Sequence, residues 1–172
     1  MTRRLLGLSF VCCLALGCAG GAPMTEITTA EERGRLTDEI ARTLDELHAA
    51  ASAADEERYF GLFASDGVFL GTDASERWTV AEFRAYAHPH FSQGKGWTYT
   101  PRQRHVVVAA DGTTAVFDEL LENAGLGTCR GSGALRREAK GEWRVVLYDL
   151  SIPIPNDLAK DVAARIRAHG GK

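Results

Sequence analysis

Apolar residues along the chain recur first with a helical period and then with a strand period, and the change falls near the middle. Leu36, Ile40, Leu44 and Leu47 repeat every three or four residues through an alanine-rich stretch that ends near Ala54, and Thr29 with Glu32 reads as a capping box in front of them. The spacing predicts a long amphipathic helix. Asp55 is expected to cap a shorter helix carrying Tyr59, Phe60, Leu62 and Phe63, after which Asp66-Gly67 turns the chain into a short apolar strand, Val68 to Leu70. Thr79 and Glu82 form another capping box, for a third helix that Pro89 is expected to end near His88.

From Trp97 the period drops to two. Trp97 to Ala109, Thr113 to Glu122, Thr128 to Arg137 and Trp143 to Ile152 are β-rich runs, separated by Asp111-Gly112, by Asn123 to Gly127 and by Lys140-Gly141. These are hairpin connections, so the four strands are expected to form an antiparallel meander, followed by a terminal helix through Leu158, Val162 and Ile166 that Asn156 caps. Helices first and an antiparallel sheet second is an α+β plan.

The turns also set the register. With Asp111-Gly112 and Lys140-Gly141 as two-residue turns and the middle loop centred on Gly125, one face carries Val107, Val116, Ala134 and Leu147 in a cross-strand row. The next rows outward are His105, Asp118, Ser132 and Asp149, then Gln103, Leu120, Arg130 and Ser151, with Trp97, Tyr99 and Pro101 continuing the same face. An apolar floor passing into a polar, aromatic-walled rim is the composition of a small-molecule pocket. The opposite face reads Val106, Phe117, Gly133 and Tyr148, then Arg104, Glu119, Gly131 and Leu150, which suits a subunit interface or a cover by the last helix.

Composition narrows the class. The 172 residues are one domain's worth, and 45% hydrophobic with 25% charged content is ordinary for a globular chain. A formal net charge of −3 with no clustered basic stripe argues against a nucleic-acid partner. Three of the four cysteines, Cys12, Cys13 and Cys18, lie in the first eighteen residues, which leaves Cys129 alone in the body of the chain and excludes a disulfide framework there. Residues 1–17 begin with Arg3 and Arg4, continue as an apolar run from Leu5 to Leu16 and end at Gly17, the layout of a signal peptide. Leu14 to Cys18 resembles a bacterial lipobox, which implies lipidation at Cys18 and a place in the cell envelope; cleavage without lipidation is the alternative. Residues 18–28, with Gly-Gly and a Pro, suit a tether, and residues 29–172 form the domain.

Several segments together resemble the SnoaL-like branch of the nuclear transport factor 2 superfamily: Gly71-Thr72-Asp73, Glu76-Arg77-Trp78, Gly94 to Tyr99, Arg104-His105-Val106, Phe117 to Leu121, Cys129 to Gly133 and Ser151 to Asp157. The resemblance covers roughly Ile40 to Leu158. It implies a cone of three N-terminal helices on a strongly curved antiparallel sheet, with a C-terminal helix, enclosing a pocket and commonly forming a homodimer. Many relatives end the last long strand with Trp, His-x-His and Ser; here those positions are Trp143, Leu147, Asp149 and Ser151, so no role of those histidines, metal contact included, carries over.

The candidate chemistry follows from the register. His105 opposite Asp118 is either a general base with its orienting carboxylate or a structural cross-strand pair. Arg130, diagonal to Asp118 and Asp149, either clamps a ligand carboxylate or neutralises the two acids. Trp97, Tyr99, Gln103, Arg130, Ser132, Asp149 and Ser151 are the candidate ligand-binding residues. No nucleophile elbow, phosphate loop or dinucleotide fingerprint is present, so no cofactor is expected, and His88-Pro89-His90 without a nearby cysteine gives no metal site. The preferred reading is a lipid-anchored envelope domain that binds a small organic molecule. An acid/base enzyme (isomerase, cyclase or dehydratase) working through His105 and Asp118 is the first alternative, and a dimerisation or partner-binding module with a filled cone is the second.

Overall fold

The computed structural model describes residues 29–170. The expected signal peptide, the lipidation candidate Cys18 and the tether lie outside the described residues. Helix α1 (Ala30–Ser52) starts where Thr29, in extended conformation, accepts a hydrogen bond from the Glu32 N–H at 3.1 Å, which satisfies one of the free donors of the first turn. Its stripe of Leu36, Ile40, Leu44 and Leu47 is buried as the spacing predicts. Asp55 caps α2 (Glu56–Gly61) by accepting from the Arg58 N–H at 3.1 Å.

Strand β1 (Phe63–Leu70) begins earlier than expected and runs straight through Asp66-Gly67. The turn read there is instead an irregularity in strand pairing between Phe63 and Val68. Gly67 serves close packing: an added Cβ would sit 2.9 Å from the carbonyl oxygens of both Ala64 and Val145. The three-residue strand β2 (Arg77–Thr79) is too short to leave a period in the sequence. Helix α3 (Val80–Phe91) has the reciprocal Thr79–Glu82 capping box, but Pro89 does not end it. In the last turn a proline forfeits only one helical bond, and the buried Phe91 holds that turn against the core.

Strands β3 (Thr100–Val108), β4 (Thr114–Asn123), β5 (Gly127–Arg137) and β6 (Trp143–Ser151) form the meander, and every cross-strand row derived above pairs as written. The sheet is larger and less uniform than the meander alone. β1 joins β6 in parallel and β2 follows it, giving the order β2-β1-β6-β5-β4-β3. A parallel neighbour is available to β1 because about seventy residues separate it from β6, ample for a crossover. Helix α4 (Ala159–Ala168) has no side-chain cap, Asn156 included, and buries no residue.

Which face is inside is the main correction. The six-stranded sheet is curved, and α1 packs against β3 and β6 on the face carrying Phe117, Glu119, Leu121, Cys129, Leu135, Val145, Tyr148 and Leu150, all buried. The row Val107, Val116, Ala134 and Leu147, read as an apolar floor, is on the outer face, where Val107 and Val116 are 64% and 52% exposed. Large apolar side chains recur along whole strands on the Phe117 face, whereas the Val107 face offers small aliphatic ones between polar residues. The wide apolar stripe of α1 therefore buries more area against the former. The surface inferred to be an interface or the seat of the last helix is the interior.

Candidate functional site

One face of α1 supplies polar groups beside its apolar stripe. Residues 41, 45 and 48 are spaced so that the Ala41 carbonyl, the Asp45 carboxylate and the His48 imidazole lie along the same side, towards the sheet. Opposite them, β3 contributes Arg104, β4 contributes Glu119 and β6 contributes Tyr148, whose backbones share neighbouring rows. His48, Arg104 and Tyr148 meet at Glu119, a fully buried carboxylate. Its Oε1 lies 2.7 Å from His48 Nε2 and accepts from the Tyr148 hydroxyl at 3.0 Å, while Oε2 accepts from Arg104 Nε at 2.8 Å. Arg104 Nη1 also donates to the Ala41 carbonyl at 3.0 Å and to Asp45 Oδ1 at 2.8 Å, so it ties the helix to the sheet.

Burial alone would raise the Glu119 carboxyl, but the hydrogen bond and charge of His48 together with the charge of Arg104 outweigh it, and the group is held below its ordinary value. Tyr148 goes the other way: burial first, and the Glu119 charge beside it second, push its phenol well above the usual tyrosine range. It stays a neutral donor across physiological pH. Gly131 makes the contact possible, since an added Cβ there would collide with the Tyr148 hydroxyl.

His48 and Tyr148 form part of the wall of a cavity of about 190 Å³ between α1, α3, the β1–β2 connection and β6. Most of the wall is aromatic. Phe69 stacks on Phe83 with ring centroids 3.9 Å apart and lies parallel to Tyr148 at 5.7 Å, and Trp78 stacks on Tyr86 at 4.8 Å. Tyr59 sits edge-on to Phe60, Phe63, Phe83, Phe91 and Trp97, and burial drives its phenol far above the ordinary value. The segment ahead of β3 reaches the wall because Gly96 crosses α1 so closely that a Cβ would strike the Ala51 carbonyl, with the Trp97 N–H donating to that same oxygen at 3.2 Å. Asn123 Nδ2 then holds the Thr98 carbonyl at 3.0 Å, and Trp97 and Tyr99 point onto the cavity.

Of the residues singled out in the sequence, Trp97 and Tyr99 line this cavity. The others are on the outer face. His105 Nδ1 and Asp118 Oδ1 are 3.3 Å apart and more than half exposed. Gln103, with Nε2 3.4 Å from His105 Nε2, and Arg130 are exposed, and Ser132, Asp149 and Ser151 are half-buried. Among the described residues no cluster of three or more His, Cys, Asp or Glu is placed to hold a metal, and His88 takes the Glu56 carboxylate at 2.7 Å. His48, Tyr59, Glu76, Glu119 and Tyr148 were not singled out. Two signals pointed to them: His48 follows Leu44 and Leu47 on the apolar stripe, and Arg104 and Glu119 pair in a row with Gly131 and Leu150, where a charge needs a buried partner.

Comparison with known proteins agrees with this architecture. The SnoaL-like domain family matches residues 40–155. No curated protein matches the chain. Among solved structures, a nuclear transport factor 2-like protein of unknown function from Pseudomonas putida KT2440 superposes with a TM-score of 0.61 at 18% identity, over 72% of this chain and 91% of that one. A candidate scytalone dehydratase from Novosphingobium aromaticivorans DSM 12444 gives 0.60 at 9% identity, over 73% and 89%. A candidate ketosteroid isomerase from Shewanella frigidimarina NCIMB 400 gives 0.52 at 16% identity, over 67% and 97%. Likeness at these identities carries the fold and leaves activity to be argued from the site.

Proposed function

We propose, from the premise that the chain belongs to the SnoaL-like domain family, that it binds a small, mainly apolar organic molecule in the cavity beside His48 and Tyr148. The observation that supports this reading is the aromatic wall left open around about 190 Å³, with polar groups at a few points only. The volume favours a ligand of one or two rings. Trp78 and Trp97 stand in the wall, so tryptophan fluorescence reports occupancy directly. Titration with benzyl alcohol, cyclohexenone and 2-naphthol is expected to give saturable quenching that Tyr99→Ala or Trp97→Phe weakens. Linear, unsaturable quenching by all three probes rejects the reading.

A second reading is proton transfer on such a ligand. The acid/base role that the sequence suggested for His105 and Asp118 passes to His48, which lines the cavity, with Glu119 behind it as the orienting carboxylate. With Glu119 fixing the Nε2–H tautomer, Nδ1 keeps the free lone pair of a general base, and the carboxylate stabilises the imidazolium that forms. His48→Gln is then expected to reduce turnover of a cavity-bound carbonyl substrate by about 10²–10⁴ while changing its binding little. Equal losses in both leave His48 as a wall residue.

Export and lipid attachment complete the proposal. Residues 1–17 carry the features of a signal and Cys18 those of an acylated cysteine. Labelled fatty acid is expected on the wild-type chain and absent from Cys18→Ser. No label on wild type rejects the anchor.

A further inference from the structure

We infer that the cavity selects a positively charged ligand, an organic amine or quaternary ammonium attached to a ring. This rests on the reading of the cavity as a ligand site and adds the charge of what it takes.

The charges around the cavity are lopsided. Among the described residues no lysine or arginine lines it, and Arg130, which the sequence offered either as a clamp for a ligand carboxylate or as a neutraliser of Asp118 and Asp149, is on the far side of the sheet. His48, the lining group able to carry a positive charge, already faces the buried Glu119 carboxylate at 2.7 Å. That carboxylate in turn is matched by Arg104. What remains is Glu76, in the connection ahead of β2. It lines the cavity, is half-buried, and makes no ion pair among the described residues. Its position is built rather than incidental. Oε2 accepts from the Asp73 N–H at 3.1 Å, and the carboxylate occupies the space where a side chain on Gly71 would collide with it. Gly71 and Thr72 beside it also belong to the wall.

The fixed charge offered to a ligand is therefore a single unmatched carboxylate at the edge of an aromatic enclosure. A cation gains twice there: from the carboxylate, at an effective dielectric below that of water, and from the negative ring faces of tryptophan and tyrosine. An anion of the same shape meets repulsion from both. A neutral ring compound gains the apolar contact alone.

The test compares three probes of one shape on the full chain: benzyltrimethylammonium, benzyl alcohol and phenylacetate, each followed by tryptophan fluorescence at fixed ionic strength. The ammonium is expected to bind at least tenfold more tightly than phenylacetate, and its affinity is expected to fall as salt is raised. Glu76→Gln keeps an acceptor for the Asp73 N–H and removes the charge. It is expected to weaken the ammonium about tenfold and to leave benzyl alcohol within twofold, which also reports that the variant is folded. Glu76→Asp should recover part of the loss. Benzyl alcohol binding with no preference between the two ions, or Glu76→Gln leaving the ammonium unchanged, overturns the charge selection and keeps the cavity as a ligand site. Failure of all three probes to bind overturns both.

Discussion

Two histidine–carboxylate pairs stand on opposite faces of strand β4, and their carboxylates are sequence neighbours. Inside, His48 and Glu119 are 2.7 Å apart with side chains 10% and 0% exposed; outside, His105 and Asp118 are 3.3 Å apart and 60% and 55% exposed. The functional groups are the same and the environments are opposite. Strand alternation alone separates Asp118 from Glu119 and Arg104 from His105. The outer pair competes with water for every hydrogen bond. The inner pair has lost its water and depends on Arg104 and Tyr148, so each group there determines the state of the others.

The largest effect is expected from removing the hub. Glu119→Ala leaves His48 without its acceptor and Arg104 without its buried counter-charge, and the loss should be about 3–5 kcal/mol, the range for breaking one side of a buried ion pair. Urea unfolding of wild type and variant measures it. The same residue predicts the acid limb of stability. Because the folded carboxyl is held below its ordinary value of 4.5, the ionised form stabilises the fold; that stability is fully present above pH 4.5 and is lost as pH falls through the lower folded value. Glu119→Gln should flatten the acid limb of the stability curve, whereas Asp118→Asn should leave its shape unchanged. A limb that follows Asp118 instead would reverse the roles assigned to the two pairs.

Gly131→Ala sharpens the comparison at the next level. The methyl group collides with the Tyr148 hydroxyl and presses on the Glu119 side chain at 3.1 Å, so the hub loses one donor while its charges remain. Overpacking of this kind costs about 1–3 kcal/mol. The Tyr148 signal in near-ultraviolet circular dichroism should change with it. On the outer face the neighbouring Ser132→Ala should do neither.

The sequence carried the pairing of the strands but not the side of the sheet that would be covered. Turn residues Asp111-Gly112 and Lys140-Gly141 were enough to place Val107 across from Val116 and Ala134 across from Leu147, because hairpin geometry fixes register locally. The covered side depends on helices distant in sequence, and the polar row around His105 drew attention away from the apolar sums along whole strands. Ala115, Phe117 and Leu121 on β4, with Leu135 and Val145 beyond, outweigh Val116 and Leu120. Counting over entire strands rather than single rows would have identified the inner face. Pairing of β1 with β6 joins residues about eighty positions apart, and nothing local encodes it. Trp97 and Tyr99 were singled out as continuing the His105 face of a strand from Trp97; they reach the cavity instead because β3 starts only at Thr100 and the segment ahead of it crosses α1. His48 was missed because a histidine on an apolar stripe resembles any half-buried helical residue until its partner on β4 is known.

The smallest effects should come from the outer pair, and they test the comparison from its other side. His105 and Asp118 are far enough apart and exposed enough that solvent screens most of their attraction. Each alanine substitution should change stability by no more than about 0–1 kcal/mol, the range for exposed ion pairs, and a double-mutant cycle should give a coupling at the low end of it. Raising salt should shrink even that. The matching cycle on His48 and Glu119 should give a coupling several times larger and insensitive to salt, because no solvent reaches the carboxylate. Ligand binding provides the decisive arm: the affinity for benzyl alcohol should be unchanged in His105→Ala and Asp118→Asn, whose side chains are a full sheet thickness from the cavity. If either weakens that probe while the fold is intact, the outer row contributes to a binding surface after all, and the division of the two pairs into a hub and a solvated contact fails.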